Sequence, residues 1–132
     1  MKLYGADINI LKFEIEEVSY SFKKKKVSIS PEDVDFSFNI RKRKNVEQYK
    51  ISYALTVEQE ENIFFRARGY AIYEFNTKMS KAQKEKYIYG NIIPSVYMTL
   101  RGAVFMLTYN SPIRILLPVV NFYKSYSQAK KE

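Results

Sequence analysis

Three groups of residues could do chemistry. Glu14, Glu16 and Glu17 stand in a segment of alternating character, where Glu14 and Glu16 share one face of an extended strand. Paired carboxylates are the raw material of general acid–base catalysis, and solvated strand charges are the simpler reading. Lys23–Lys26 is a run of four lysines that could hold a phosphate, or could be a solvated loop that discourages edge pairing. Arg66-Ala67-Arg68-Gly69-Tyr70 interleaves basic and aromatic residues, a pattern that on a sheet can stack bases and hold phosphates. Its simpler reading is a strand whose arginines face water. The chain has neither His nor Cys. Serine triads, cysteine nucleophiles, zinc fingers, blue-copper sites, thiolate iron–sulfur sites and disulfides are therefore excluded. Four scattered glycines cannot build a phosphate loop. The expectation is a protein that is not an enzyme and takes no cofactor or metal.

What exceeds the ordinary is aromatic content and charge. Twelve Tyr and nine Phe make 16% of 132 residues, more ring area than one small core needs, which points to an interface or a binding groove. The net charge of +8 favours anionic partners: nucleic acid, acidic lipid or acidic protein segments. The same abundance of Lys, Glu, Ile and Tyr also resembles hyperthermophile usage. Met1–Asp7 has no apolar core of a signal peptide. Apolar stretches such as Ile113–Val120 are broken by charge or Pro and fall short of the ~20 residues a bilayer requires. One domain over 1–132 is expected, cytoplasmic and without membrane insertion.

Two periodicities set the elements. Val18, Tyr20 and Phe22, then Val34, Phe36, Phe38 and Ile40, then Tyr49, Ile51, Tyr53, Leu55 and Val57 alternate with polar residues, and 63–75 is apolar on both parities in places. Strands are expected at 9–22, 33–44, 48–59 and 62–75, with an antiparallel meander as the default topology. Gly69 marks a bulge or a close backbone approach. Ser80 and Gln83 form a capping-box pattern for a helix over 81–89 ending at Gly90-Asn91, and Asn91 can cap the next helix, with Pro94 in its first turn. Ile93, Tyr97, Leu100, Val104 and Leu107 form a helical stripe to about 109, while Val96, Met98, Ala103, Phe105, Met106 and Tyr109 make a second apolar side. A single sheet covers one face only, so self-association through Ile93, Val96, Tyr97, Leu100, Ala103, Val104 and Leu107 is expected. A short strand or extended segment follows over 113–120, then a helix capped by Asn121 carrying Phe122 and Tyr126 on one side. The fold class is α+β: a four-stranded antiparallel sheet with a long helix and short helices packed on one face.

Apolar surface, positive charge and no catalytic set are what a holder of unfolded chains needs. The element order and several motifs resemble the SecB protein-export chaperone family. Asn91-Ile92-Ile93-Pro94 is similar to that family's helix entry, and Arg101-Gly102 to an Arg-Gly in the following helix. Leu117-Pro118-Val119-Val120-Asn121-Phe122 is similar to its Ala-Pro-Val-Asn-Phe element with one residue inserted, and Val18-Ser19-Tyr20-Ser21-Phe22 to its first strand. The resemblance implies a dimer of dimers with long helices sandwiched between, acting as an ATP-independent holdase for unfolded client polypeptides. Client contacts are then expected from Val27, Ile29, Val34 and Phe36 on the sheet side and from Leu116, Val119 and Phe122 opposite. The family's usual members are acidic and dock on the motor ATPase SecA through acidic residues of the sheet. Arg66 and Arg68 stand on the comparable strand here, which argues against that docking. The connection from Lys23 to Asp33 is shorter than the family's and lacks its Trp, with Val27 and Ile29 as replacements. The alternative function is a single-stranded nucleic-acid binder using Arg66, Arg68, Tyr70 and the lysine run.

Overall fold

The computed structural model describes residues 1–3, 8–22, 29–60, 63–76, 78–110 and 114–130. Four strands, β1 (Ile8–Phe22), β2 (Val34–Lys42), β3 (Gln48–Gln59) and β4 (Ile63–Phe75), pair antiparallel. Each lies within two residues of its sequence-based bounds. Their order is β1-β4-β3-β2. The expected full meander is therefore corrected: β2, β3 and β4 form one, but β1 lies on the far edge of β4. Length decides this. β1 has 15 residues and β4 has 13, against nine in β2. Pairing β1 with β2 would leave the whole outer edge of β4 without a partner.

Alternation sorts the faces. Ile51, Tyr53, Leu55 and Val57 of β3 and Phe65, Ala67, Ala71, Tyr73 and Phe75 of β4 are buried on one side. Val34, Phe36, Phe38 and Ile40 of β2 pack half-buried beside them. β1 cannot follow strict alternation, because Phe13 and Ile15 are odd-numbered while Val18 and Tyr20 are even. A register shift between Ile15 and Glu17 inserts one residue, so that Phe13, Ile15, Val18 and Tyr20 stand opposite Ala71, Gly69, Ala67 and Phe65 on the same face. This corrects the pairing of Glu14 with Glu16. Glu16 falls in the shift, and it is Glu14 and Glu17 that share the opposite face, across from Tyr70 and Arg68.

Gly69 has a close approach, and the bulge sits on its partner strand. A Cβ at Gly69 would lie 1.9 Å from the Glu14 carbonyl oxygen. Through that gap the Tyr53 hydroxyl donates to the Glu14 carbonyl at 2.6 Å, and the Tyr53 ring stacks on Phe13 with centroids 5.5 Å apart.

Past the sheet, α1 (Lys81–Tyr87) begins with the expected capping box: Gln83 N–H donates to Ser80 Oγ at 3.2 Å, and Ser80 N–H donates to Gln83 Oε1 at 3.0 Å. The helix does not stop at Gly90-Asn91, and Asn91 caps nothing. The chain instead runs through a π turn (Ile88–Ile92) into α2 (Ile93–Thr108), with Ile93 N–H bonded to the Ile88 carbonyl. Pro94 supplies the reason. Its nitrogen cannot donate and its ring would crowd the carbonyl four residues back, so one wider turn absorbs the mismatch without breaking the helix.

α2 lies on the buried face of the sheet through Ile93, Val96, Tyr97, Leu100 and Val104, with Ile115 and Leu117 completing the core. Full burial of such side chains contributes roughly 1.5–3 kcal/mol each. The last helix, α3 (Phe122–Ala129), is capped as expected, Lys124 N–H donating to Asn121 Oδ1 at 3.0 Å. Among the described residues, no helix is long and apolar enough to cross a membrane.

Candidate functional site

The segment 114–120 forms neither helix nor strand, and four side-chain contacts pin it along α2. Tyr97 donates to the Pro118 carbonyl at 2.6 Å and Arg101 Nε to the Leu117 carbonyl at 2.6 Å. Ile115 N–H donates to Thr108 Oγ1 at 2.8 Å, and Arg114 Nε donates to the Tyr109 carbonyl at 3.1 Å. A chain held this way keeps a fixed orientation without a sheet. Ile115 and Leu117 turn into the core, while Leu116 is 54% exposed and Val119 72%.

Beside it, β2, α2 and α3 share a wall of rings. Phe36 meets Tyr97 at 5.6 Å and Phe122 at 6.3 Å, and Tyr97 meets Phe122 at 5.4 Å. Phe38 meets Tyr126 at 6.4 Å and Tyr89 at 6.0 Å. Tyr89 and Tyr126 contact at 5.5 Å, and the Tyr126 hydroxyl donates to the Tyr89 carbonyl at 2.8 Å. The structure thus brings Phe36 and Phe122 together, half-buried, with Val34 and Ile29 packed on the same core. Leu116 and Val119 stand exposed, and Val27 lies outside the described residues, as does the Lys23–Lys26 run. Phe38, Tyr89 and Tyr126 were missed as site residues. Phe38 shares its strand face with Phe36, and Tyr126 lies one helical turn after Phe122, so two of the three were readable.

Burial pushes the phenols of Tyr97 and Tyr126 up to about 12, Arg101 partly opposing this at Tyr97. The unfolded chain releases these protons near pH 10, whereas the folded chain holds them. Their contribution to stability is complete below pH 10 and is lost as pH rises from about 10 towards 12. The urea midpoint should therefore fall steeply above pH 10, and Tyr97→Phe should flatten that fall.

The residues assigned to contacts between copies divide sharply. Ile93, Val96, Tyr97, Leu100 and Val104 are covered by the chain's own sheet, Ala103 is half-buried and Leu107 is 58% exposed. A helix over a sheet must spend its most regular stripe on that sheet. Of the second apolar side, Val96 is buried and Ala103 and Phe105 are half-buried, while Met98, Met106 and Tyr109 are exposed with Leu107.

Arg66, Arg68 and Tyr70 do share the outer face of the sheet, as their spacing implies. Their chemistry is largely occupied. Arg68 Nε meets Glu17 at 2.6 Å, and the Lys12 and Lys50 ammonium groups sit 5.5 and 4.5 Å from the Tyr70 ring centre. A base would have to displace a lysine to stack there.

No family model and no curated protein matches the sequence. Among solved structures, the SecB-like chaperone of Mycobacterium tuberculosis, in complex with a peptide from the HigA1 antitoxin, matches with a TM-score of 0.66 at 10% sequence identity. The match covers 87% of this chain and 91% of that chain. The fold is SecB-like. Within this SecB-like fold, the ring wall and the pinned segment lie on the helix-covered side of the sheet, opposite Arg66 and Arg68.

Proposed function

We propose that the chain is an ATP-independent holdase that binds unfolded polypeptides on the apolar surface around the pinned segment. The observation that carries this reading is the exposure of Leu116 and Val119 on a segment whose carbonyls are bonded by Tyr97 and Arg101, with Tyr123 of α3 85% exposed. Exposed apolar area on a tethered segment binds by burial and gains from having less loop to order. The half-buried wall of Phe36 and Phe122, with Ile29 and Val34, extends that surface. The SecB-like fold supports the reading, as does the antitoxin peptide held by the mycobacterial protein. Nothing in the mechanism requires nucleotide, metal or a catalytic group.

Copies of the chain would meet through Met98, Met106, Leu107 and Tyr109 on the outward side of α2. A dimer of dimers is the assembly this fold suggests. Arg66 and Arg68 on the outer face are the wrong charge for docking on SecA through acidic residues.

The test is suppression of aggregation of a denatured protein, without ATP. Suppression should persist at about 0.5 M salt, where exposed charges are screened beyond ~4–5 Å. Leu116→Ser with Val119→Ser should reduce it several-fold. Both side chains are exposed, so stability should stay within roughly 0.5 kcal/mol. Arg66→Glu with Arg68→Glu should leave suppression intact. Were that pair instead to abolish tight, salt-sensitive oligonucleotide binding in a protein that protects no client, the nucleic-acid reading would replace this one.

A further inference from the structure

We propose that this surface selects acidic clients: a segment carrying both carboxylates and a large apolar side chain, held in two clefts on either side of Tyr89. The proposal rests on the holdase reading and adds the chemistry of what is held. The first cleft, about 480 Å³, is lined by the apolar Ile40, Tyr49 and Ile88 and by Lys42, Lys81 and Lys84. The second, about 570 Å³, is lined by Phe38, Tyr126 and Ala129 and by Lys86 and Lys130. Tyr89 and Glu85 line both, so the two are neighbours along one path past α1. The π turn starting at Ile88 buries Ile88 and leaves Tyr89 38% exposed between the clefts.

Charge complementarity names the occupant. Five lysines border the clefts. Against them stand Glu85 and Glu47, which pairs with Lys42 at 3.7 Å and with Lys84. Lys84 holds the Glu47 carboxyl below the usual range, so Glu47 offsets part of the charge of Lys42 and Lys84, and Lys81, Lys86 and Lys130 carry the surplus. The surplus is not a uniform coating from a basic composition. The opposite end of β2 borders a cleft lined by Glu32, Asp33, Asp35, Glu58 and Glu60. Positive charge is gathered at the Lys42 end, beside the apolar lining. A second copy of this chain, at +8, is a poor occupant overall, whereas an acidic segment with a ring or branched side chain satisfies the lysines and the apolar lining together.

The test measures binding of three labelled peptides to the full chain by fluorescence anisotropy: one rich in Glu and Phe, one with Lys replacing Glu, and one with Ser replacing Phe. At low salt the Glu–Phe peptide should bind about tenfold tighter than either other peptide. The advantage over the Lys peptide should shrink at about 0.5 M salt. The triple variant Lys81→Glu, Lys86→Glu, Lys130→Glu should remove or reverse the charge preference. Equal binding of the Glu and Lys peptides overturns the proposal, and so does a preference that survives the triple variant. Displacement of the Glu–Phe peptide by a single-stranded oligonucleotide at similar concentration overturns it too, as a site for any polyanion. A wild-type chain that suppresses aggregation without preferring acid fails this proposal alone. One that suppresses nothing fails the holdase reading.

Discussion

Replacing Gly69 with alanine should cost roughly 3–4 kcal/mol and lower the melting temperature by about 10 °C. The position has no positive φ, so the demand is for space and not for conformational freedom. An added methyl carbon would sit 1.9 Å from the Glu14 carbonyl oxygen, which is main chain and cannot rotate aside. β1 would have to leave its register at the shift between Ile15 and Glu17. The Tyr53 hydroxyl would then lose its 2.6 Å bond to Glu14 in a setting where burial already raises its pKa. The Phe13–Tyr53 stack would go with it. Gly90→Ala and Gly102→Ala are the matched controls: both stand in helical backbone, and a built Cβ at either has no neighbour within 4 Å. Each should be neutral or stabilising by up to about 1 kcal/mol. Thermal melts of the three variants decide, and an unchanged midpoint for Gly69→Ala would remove the account of how β1 is attached.

Leu100→Asp should leave no folded protein at pH 7. Leu100 has no solvent exposure even in the single chain. Its loss costs roughly 2–5 kcal/mol in transfer and cavity terms, and an unpaired carboxylate in the core adds several more. The sum reaches the ~5–15 kcal/mol that holds a typical domain together. Met106→Asp with Leu107→Asp should behave differently, since both side chains are largely exposed in the single chain. That variant should melt within a few degrees of the parent and sediment as a smaller species. Circular dichroism and sedimentation separate the cases. A folded but dissociated Leu100→Asp would return Leu100 to a contact between copies.

Period-two alternation located β2 and β3 because one face of each is wet, and Ser80, Gln83 and Asn121 marked helix starts because their side chains satisfy local N–H groups. Those interactions are short-range, so the residues themselves carried them. The odd-to-even switch between Ile15 and Val18 also recorded the bulge, and Gly69 recorded a close approach. The outward apolar side of α2, with Met98 and Met106, was readable as a second stripe. Sheet order was not readable, because β1 reaches β4 by a length match between segments far apart in the chain. Nor was the continuation through Gly90: a glycine and an asparagine look like a stop, and Pro94 makes the wider turn while the packing of Ile88 and Ile92 in the core keeps the chain helical through it. The same long-range packing decided which face of α2 is spent inside the chain. It buried Leu100, left Leu107 out, and gathered Phe38, Tyr89 and Tyr126 from three elements around clefts that no local pattern could announce.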